Sequence, residues 1–237
     1  MIALRTSIPV LLLLSTAILL APDGAAQAAP PGQTPRPPFG LPLEGPPGAG
    51  RWVVGQFYGN TQGAYRYREE WYRAGQGLHF GVDFSVRCGT PVLAIGDGEV
   101  SGIDRMERGA GPHNLLIYHP EGYISLYGHL LEAPAAYIGM PVKRGQVVAF
   151  SGDPDGTCAS RPHLHLEIRS LDHGIAYNPV MLIDADWQTL ALIGPRSSFE
   201  TDLAEPRRWQ TIADQPTVDF WAGPLNHYAR PWPPDWE

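Results

Sequence analysis

The 237-residue sequence has few charged side chains, no excess of positive charge and only two cysteines. Charged residues make up 17% of the chain and the formal net charge is -7, which argues against nucleic acid or an anionic membrane as a main partner. No internal repeat and no long amphipathic helical pattern is evident. Because hydrophobic residues reach 43%, the composition is nevertheless that of a globular protein and not of a disordered one.

Only one stretch of the chain, residues 8–21, is long and almost uninterruptedly apolar. It follows Arg5, is short for a spanning helix, and precedes a small-x-small cleavage site, Ala-Gln-Ala, at residues 26–28. This order is typical of a secretory signal peptide, which we predict at residues 1–28, with an uncleaved anchor as the alternative. We therefore expect an exported protein, whether secreted, periplasmic or held in the cell envelope, with no stable membrane insertion after cleavage.

Glycine and proline, in contrast, are abundant, with 27 and 25 residues. They dominate residues 30–50, and we predict a semi-stiff linker at 29–50. Residues 185–237, which are rich in Trp and Pro, are predicted as a C-terminal extension that either wraps the domain or forms a small binding appendage.

Between these segments, short stretches of strand-forming residues alternate with turn markers. A first strand is predicted at 53–58, and a short helix is predicted to begin at Asn178-Pro179. Further strands are predicted at 82–86, 91–95, 98–106, 114–119, 123–128, 146–150 and 163–169. The fold class predicted for residues 51–184 is therefore all-β, an antiparallel β-sandwich of short strands.

The most informative stretch is His163-Leu164-His165-Leu166-Glu167-Ile168. Strict alternation predicts a strand with both histidines and Glu167 on one face and the apolar residues on the other. Two imidazoles that enter one pocket can hold a metal, carry out acid–base chemistry, or do both. Glu167 is either a hydrogen-bond partner of a ligating imidazole or an exposed or salt-bridged residue.

A second candidate group lies upstream, where His79 and Asp83 flank Gly81. Together with a histidine of the later strand, they would give three ligands and an open fourth position, as in catalytic zinc sites. Residues four apart on a flat strand are about 13 Å from each other, so the chain must bend between them. Gly81 is the expected position of that bend.

Five motifs, taken in order along the chain, resemble those of the M23 (lysostaphin/LytM-type) metallopeptidases. They are His79-x-Gly81-x-Asp83, Gly89-Thr90-Pro91-Val92, Tyr127-Gly128-His129-Leu130, Gly145-Gln146 and His163-Leu164-His165. The resemblance covers about residues 53–179 and implies a zinc endopeptidase that cuts peptide bonds in bacterial peptidoglycan. It implies that His79, Asp83 and His165 bind Zn²⁺ and that His129 and His163 assist catalysis. The turn before His163 is usually glycine-rich in this family, but here residues 158–162 read Cys-Ala-Ser-Arg-Pro, which leaves the cleavage preference open.

The two cysteines, Cys88 and Cys158, flank the proposed site in the sequence. An even pair in an exported protein predicts a disulfide, here one that joins two site-forming loops. Two free, buried thiols are the alternative.

Several alternatives stay open at this stage. The chain is either an enzyme, a non-catalytic wall-binding or hydrolase-activating module on the same fold, or a zinc peptidase of another peptide. Lys143 lies in a segment that resembles biotinyl and lipoyl carrier hairpins, but it is next to a strand and not in a tight turn. The aromatic segment from Tyr65 to Tyr72 either forms one wall of a cleft or only packs.

Overall fold

The computed structural model describes residues 36–193 and 211–225. The predicted signal peptide, residues 1–28, lies outside the described residues. Among the helices of the described part, none has the length and apolar character needed to cross a membrane.

Short strands make up most of the described chain. They are β1 Trp52–Gln56, β2 Val82–Val86, β3 Pro91–Leu93, β4 Gly98–Ile103, β5 Leu115–His119, β6 Tyr123–Gly128, β7 Pro141–Val142, β8 Val147–Phe150, β9 His163–Arg169, β10 Ile175–Tyr177 and β11 Val218–Asp219. The helices are short as well: α1 Gln62–Arg66, α2 Pro179–Leu182 and α3 Trp187–Ile193, with single 3-10 turns at Arg73–Gly75 and Met106–Arg108.

The strands form one large sheet and one small sheet, both antiparallel. The large sheet has the order β1-β2-β9-β6-β5-β4-β7, with β10 paired to β9 and β11 paired to β10, while β3 and β8 form the second sheet. Val92 of β3 and Val148 of β8 share one hydrophobic core with Leu164 and Leu166 of β9. The predicted all-β antiparallel fold class is therefore confirmed.

The position of β9 organises the molecule. It lies between β2 and β6, and its alternate residues Leu164, Leu166 and Ile168 are fully buried in the core. The other face therefore presents His163, His165 and Glu167, as the alternation predicted.

The predicted linker is wrong for the residues that the structure describes within it. Phe39 and Leu43 are buried in the core, and the Phe39 backbone N–H donates to the carbonyl of Leu182 at 3.1 Å. The Phe39 ring also contacts His119, with ring centroids 4.8 Å apart. A Pro- and Gly-rich composition limits regular hydrogen bonding, but it does not prevent two large apolar side chains from being buried.

Residues beyond 184 also contribute to the same core. The side chains of Trp187 and Leu190 in α3 and of Val218 in β11 are buried in it. The Trp187 indole N–H donates to the carbonyl of Ile183 at 3.0 Å. Of the two alternatives for the C-terminal extension, the described residues therefore follow the first, because they pack on the sheet.

Candidate metal centre

The strand register brings the central candidate residues together. Asp83 of β2 lies directly opposite His165 of β9, and on the other side of β9 Gly128 of β6 lies opposite the same His165. Side chains of directly opposed residues have Cβ atoms about 5 Å apart. The carboxylate of Asp83 therefore reaches His165 from one side, and His129, which follows Gly128, approaches from the other.

The expected bend occurs at Gly81. His79 precedes β2 and pairs with Gly59 through two backbone hydrogen bonds of 2.7 and 2.9 Å, and regular pairing of β2 begins only at Val82. A Cβ atom at position 81 would lie 2.6 Å from Cε1 of His165 and 2.7 Å from the carbonyl oxygen of Leu166. Glycine is therefore required here because the His165 ring lies against the backbone.

Three donor atoms converge at this point. His79 Nε2 lies 3.2 Å from Asp83 Oδ1, His165 Nδ1 lies 2.7 Å from the same oxygen, and the two imidazole nitrogens are 3.3 Å apart. Ligands at about 2.0–2.1 Å from a tetrahedral zinc ion are about 3.3 Å from each other. Two edges of the observed triangle, 3.2 and 3.3 Å, match this spacing, and the third, between His165 and Asp83, is shorter at 2.7 Å, as in a hydrogen bond.

Hydrogen bonds on the far sides of the two rings fix which nitrogen faces the site. Nδ1 of His79 is 2.7 Å from the carbonyl oxygen of Phe57, which can only accept, so the proton lies on Nδ1 and Nε2 presents a lone pair. Nε2 of His165 donates to Glu167 Oε1 at 3.1 Å, which leaves Nδ1 for the site. Holding the outer nitrogen in this way is how proteins orient metal-ligating histidines.

Asp83 and His165 stabilise each other's charged forms. Burial lowers the pKa of His165, but its hydrogen bonds to Asp83 and Glu167 outweigh this and raise the pKa to about 9. Burial raises the pKa of Asp83, but the neighbouring imidazoles of His79, His163 and His165 bring it well below its ordinary value. Two imidazoles and a carboxylate with open access to a cleft are the donor set of catalytic zinc, so the residues present fit that metal.

Glu167 is not exposed, and it is both a hydrogen-bond partner of His165 and salt-bridged to Arg169. It is fully buried and accepts a 2.6 Å hydrogen bond at Oε2 from Nε of Arg169, in addition to the one from His165. Nη2 of Arg169 in turn donates to the carbonyl of Arg108 at 2.9 Å. A buried network of charged hydrogen bonds, from His165 through Glu167 to Arg169, therefore supports the outer side of the His165 ring.

His163 and His129 lie beside the triangle. The His163 ring donates through Nδ1 to the carbonyl of Arg161 at 2.6 Å, and its Nε2 is 3.8 Å from Asp83 Oδ1. The rings of His163 and His129 meet edge to face with centroids 4.7 Å apart, and the centroid of the His129 ring is 5.7 Å from that of His165. The structure thus places all five predicted site residues in one cluster, and their individual roles stay predictions.

His129 is held in an unusual backbone conformation. Its φ is 55°, in the left-handed region that a non-glycine residue seldom adopts. Its N–H donates to Ala110 O at 3.0 Å, its carbonyl accepts from Gly152 N at 2.8 Å, and its Nδ1 donates to the carbonyl of Gly111. Burial and the charges of His165 and His163 lower its pKa to about 4, so at neutral pH its Nε2 carries a lone pair.

A cleft of about 620 Å³ opens over this cluster. Tyr67, Trp71 and Tyr72 line it, so the aromatic segment forms a wall of the cleft, which sequence reasoning left undecided. Tyr72 lies 5.5 Å from the ring of His79, and its hydroxyl donates to Oε1 of Gln56 at 3.2 Å. The sequence offered no signal for Gln56, which lies near the end of β1.

The loop beside the cleft is tied at two points. Cys88 and Cys158 form the predicted disulfide, with Cα atoms 6.0 Å apart. The buried carboxylate of Asp153 accepts hydrogen bonds from the backbone N–H groups of Asp155, Ser160 and Arg161 and from the Ser160 hydroxyl. The loop 153–161 is therefore fixed against the cleft.

Comparison with known proteins gives similarities over about half of the chain. An uncharacterized metalloprotease of Haemophilus influenzae is 38% identical over 102 residues, which are 43% of this chain and 20% of that protein. The glycyl-glycine endopeptidase ALE-1 of Staphylococcus capitis is 33% identical over 106 residues, which are 44% of this chain and 28% of that protein. The chain thus spans less than a third of the length of these two relatives.

A solved structure gives a comparable match. The catalytic domain of the prophage-encoded M23 protein EnpA from Enterococcus faecalis is 28% identical, with a TM-score of 0.45 over 59% of this chain and 95% of that one. The family model that matches the sequence is Peptidase family M23, over residues 77–179. These residues include all five members of the cluster, so the segment that holds the candidate site is similar to the M23 peptidases.

Proposed function

We propose that this chain is an exported, zinc-dependent endopeptidase that hydrolyses peptide bonds in peptidoglycan cross-links or stem peptides. The observation that carries the proposal is the convergence of donor atoms from His79, Asp83 and His165 within 3.3 Å at the floor of an open cleft. The endopeptidase activity named for the relative from Staphylococcus capitis supports the reaction class. The disulfide supports export, because such bonds persist in oxidising compartments.

In this proposal, His79, Asp83 and His165 hold the metal through Nε2, Oδ1 and Nδ1. Zinc in such a site activates water for attack on a peptide carbonyl and polarises that carbonyl. His129 and His163 are placed to move the protons. Each donates its Nδ1 proton to a backbone carbonyl, so Nε2 is free to take a proton from the attacking water and later to give it to the leaving amine.

The cleft walls have a separate task in this mechanism. Tyr72, Trp71 and Pro162 line a groove in which an extended peptide would be held against the cluster. Holding the scissile bond in a reactive orientation can lower the activation free energy by about 7 kcal/mol in well-oriented systems.

The test is hydrolysis of purified peptidoglycan by the zinc-loaded protein, with and without a chelator. We expect release of new amino termini that stops with chelator and returns on addition of zinc. Asp83→Asn should abolish it, whereas Asp172→Asn, which changes an exposed carboxylate in the turn after β9, should not. Absence of chelator-sensitive cleavage of any wall type would refute the proposal.

The two alternatives predict different outcomes in the same assay. A wall-binding or hydrolase-activating module would bind sacculi without cutting them and without zinc. A zinc peptidase of another substrate would show chelator-sensitive cleavage of proteins or other peptides but not of the wall.

A further inference from the structure

A stack of aromatic and guanidinium groups forms one rim of the cleft. The rings of Tyr67 and Trp71 are nearly parallel, with centroids 3.9 Å apart and an interplanar angle of 17°. The guanidinium of Arg161 lies 4.7 Å from the Trp71 ring, and that of Arg66 lies 5.4 Å from the Tyr67 ring. Tyr67, Trp71 and Arg161 all line the same cleft as the histidine cluster.

The backbone of Arg161 is fixed relative to this cluster. Its N–H donates to Asp153 Oδ2 at 2.9 Å, and its carbonyl accepts the 2.6 Å hydrogen bond from Nδ1 of His163. The residue that positions His163 therefore also carries the guanidinium at the rim. The stack on Trp71 then limits where the long side chain of Arg161 can lie.

The positive charge of Arg161 has no anionic partner among the described residues. The interaction that the structure gives its guanidinium is the stack on Trp71, and no carboxylate of the described chain lies within 4 Å of it. The neighbouring carboxylate of Asp153 is occupied by backbone N–H groups and the Ser160 hydroxyl. In a chain with a formal net charge of -7, an exposed and unpaired guanidinium beside a cleft is available for a ligand.

We propose that Arg161, held on Trp71, binds a carboxylate of the peptide close to the bond that is cut, so that acidic peptides are preferred over neutral ones. A planar guanidinium offers two parallel N–H donors to a carboxylate, and the aromatic stack reduces the entropy lost when the side chain is ordered. The proposal deepens the proposed function and rests on it for the identity of the ligand as a peptide. The carboxylate comes from an acidic side chain or from a free C-terminus.

The test uses three synthetic hexapeptides and two readouts. The first two are acetyl-Ala-X-Gly-Gly-X-Ala-amide, in which X is glutamate or glutamine, and the third is the glutamine peptide with a free C-terminal carboxylate. Calorimetry on chelator-treated protein measures binding without cleavage, and the zinc-loaded protein measures cleavage. Comparing the first and third peptides separates the two sources of the carboxylate.

We expect the wild-type protein to bind the glutamate peptide, or the peptide with the free C-terminal carboxylate, about fivefold more tightly than the amidated glutamine peptide, as for a partly exposed ion pair. Arg161→Gln should remove this preference, Trp71→Leu should weaken it, and Arg161→Lys should retain part of it. Lys143→Gln, which removes one positive charge at the far edge of the sheet beside β7, should retain it in full. The preference should shrink at 0.5 M salt, where the Debye length falls to a few Å.

Equal binding of all three peptides by the wild type, no binding of any of them, or an unchanged preference in Arg161→Gln overturns the proposal. Failure of the proposed function gives a different pattern. In that case the zinc-loaded protein cleaves neither these peptides nor the wall, while the difference in binding affinity on the metal-free protein remains.

Discussion

Glu167 connects the candidate ligand His165 to the buried guanidinium of Arg169, and the consequences of changing it are specific. Glu167→Gln keeps the shape of the side chain but removes the charge that both neighbours face. Removing one partner of a buried ion pair costs about 3–5 kcal/mol, because the other charge stays buried without compensation. Loss of the group behind a ligating histidine lowers metal affinity by about 10- to 100-fold.

Urea denaturation measures the loss of stability in Glu167→Gln, and competition for zinc with a chromophoric chelator measures the loss of metal affinity. The matched control is Glu121→Gln, which changes an exposed carboxylate in the turn between β5 and β6. A Glu167→Gln variant with the zinc affinity of the wild type would contradict the positioning role.

The lowered pKa of Asp153 makes the free energy of unfolding depend on pH. Burial alone would raise its pKa, but the hydrogen bonds from Arg161, Asp155 and Ser160 outweigh burial and lower the pKa far below the ordinary value. A carboxyl whose pKa is lower in the folded state stabilises that state fully above its unfolded pKa, about 3.9, and loses this contribution as the pH falls. The free energy of unfolding should therefore fall between about pH 5 and pH 2, and it should fall less in Asp153→Asn.

At neutral pH, Asp153→Asn should also cost about 2 kcal/mol, because an amide group cannot accept from all the N–H and O–H donors that face the carboxylate. Urea denaturation at a series of pH values measures both effects. Equal acid sensitivity of the variant and the wild type would show that the Asp153 carboxylate does not contribute in this way.

At the scale of elements, the loop 153–161 is connected to the loop between β2 and β3 by the disulfide. The bond joins residues 70 apart in the sequence, and closing a loop of that length stabilises the folded state by about 4 kcal/mol. The double variant Cys88→Ser/Cys158→Ser should therefore unfold at a lower urea concentration than the oxidised wild type. A reductant should lower the stability of the wild type toward that of the variant and leave the variant unchanged, and any effect on the variant would refute the interpretation.

The elements that could be predicted from the sequence are those with a clear alternation of polar and apolar residues or with clear turn markers on both sides. β2, β6 and β9 begin and end where the pattern placed them, and they are the strands that carry the candidate site. The two-residue strands β7 and β11 could not be predicted, because two residues are too few to show a period. β10 was missed for the same reason, and its pairing with β11 depends on a contact between distant parts of the chain.

The candidate site, too, could be predicted where its residues lie in local motifs but not where the fold brings distant residues together. The order of motifs predicted which five side chains would lie together, and Gly81 predicted the bend between His79 and Asp83. The support behind the cluster was not predictable, because Phe57, Arg169 and Gln56 have no distinguishing pattern in the sequence. Their contribution depends on which backbone and side chains the fold brings behind each histidine.

At the scale of the whole molecule, the domain is larger than the stretch of recognisable motifs. Phe39 and Leu43 before it, and Trp187, Leu190 and Val218 after it, share its core. Trp187 packs edge to face on Phe57, with ring centroids 6.2 Å apart, and Phe57 supplies the carbonyl that holds His79. The C-terminal segment therefore lies directly behind one of the candidate ligands.

This arrangement predicts that Trp187→Ala destabilises the domain by about 3–5 kcal/mol, because the change leaves a cavity in the core and removes a large buried aromatic surface. Trp221→Ala is the matched control. Trp221 is 72% exposed whereas Trp187 is 7% exposed, so the control should change the free energy of unfolding by less than about 0.5 kcal/mol. Urea denaturation followed by circular dichroism measures both. If Trp187→Ala were as stable as Trp221→Ala, the C-terminal segment would be an appendage and the domain would end near residue 184, since only a residue inside the shared core can carry a cost of that size.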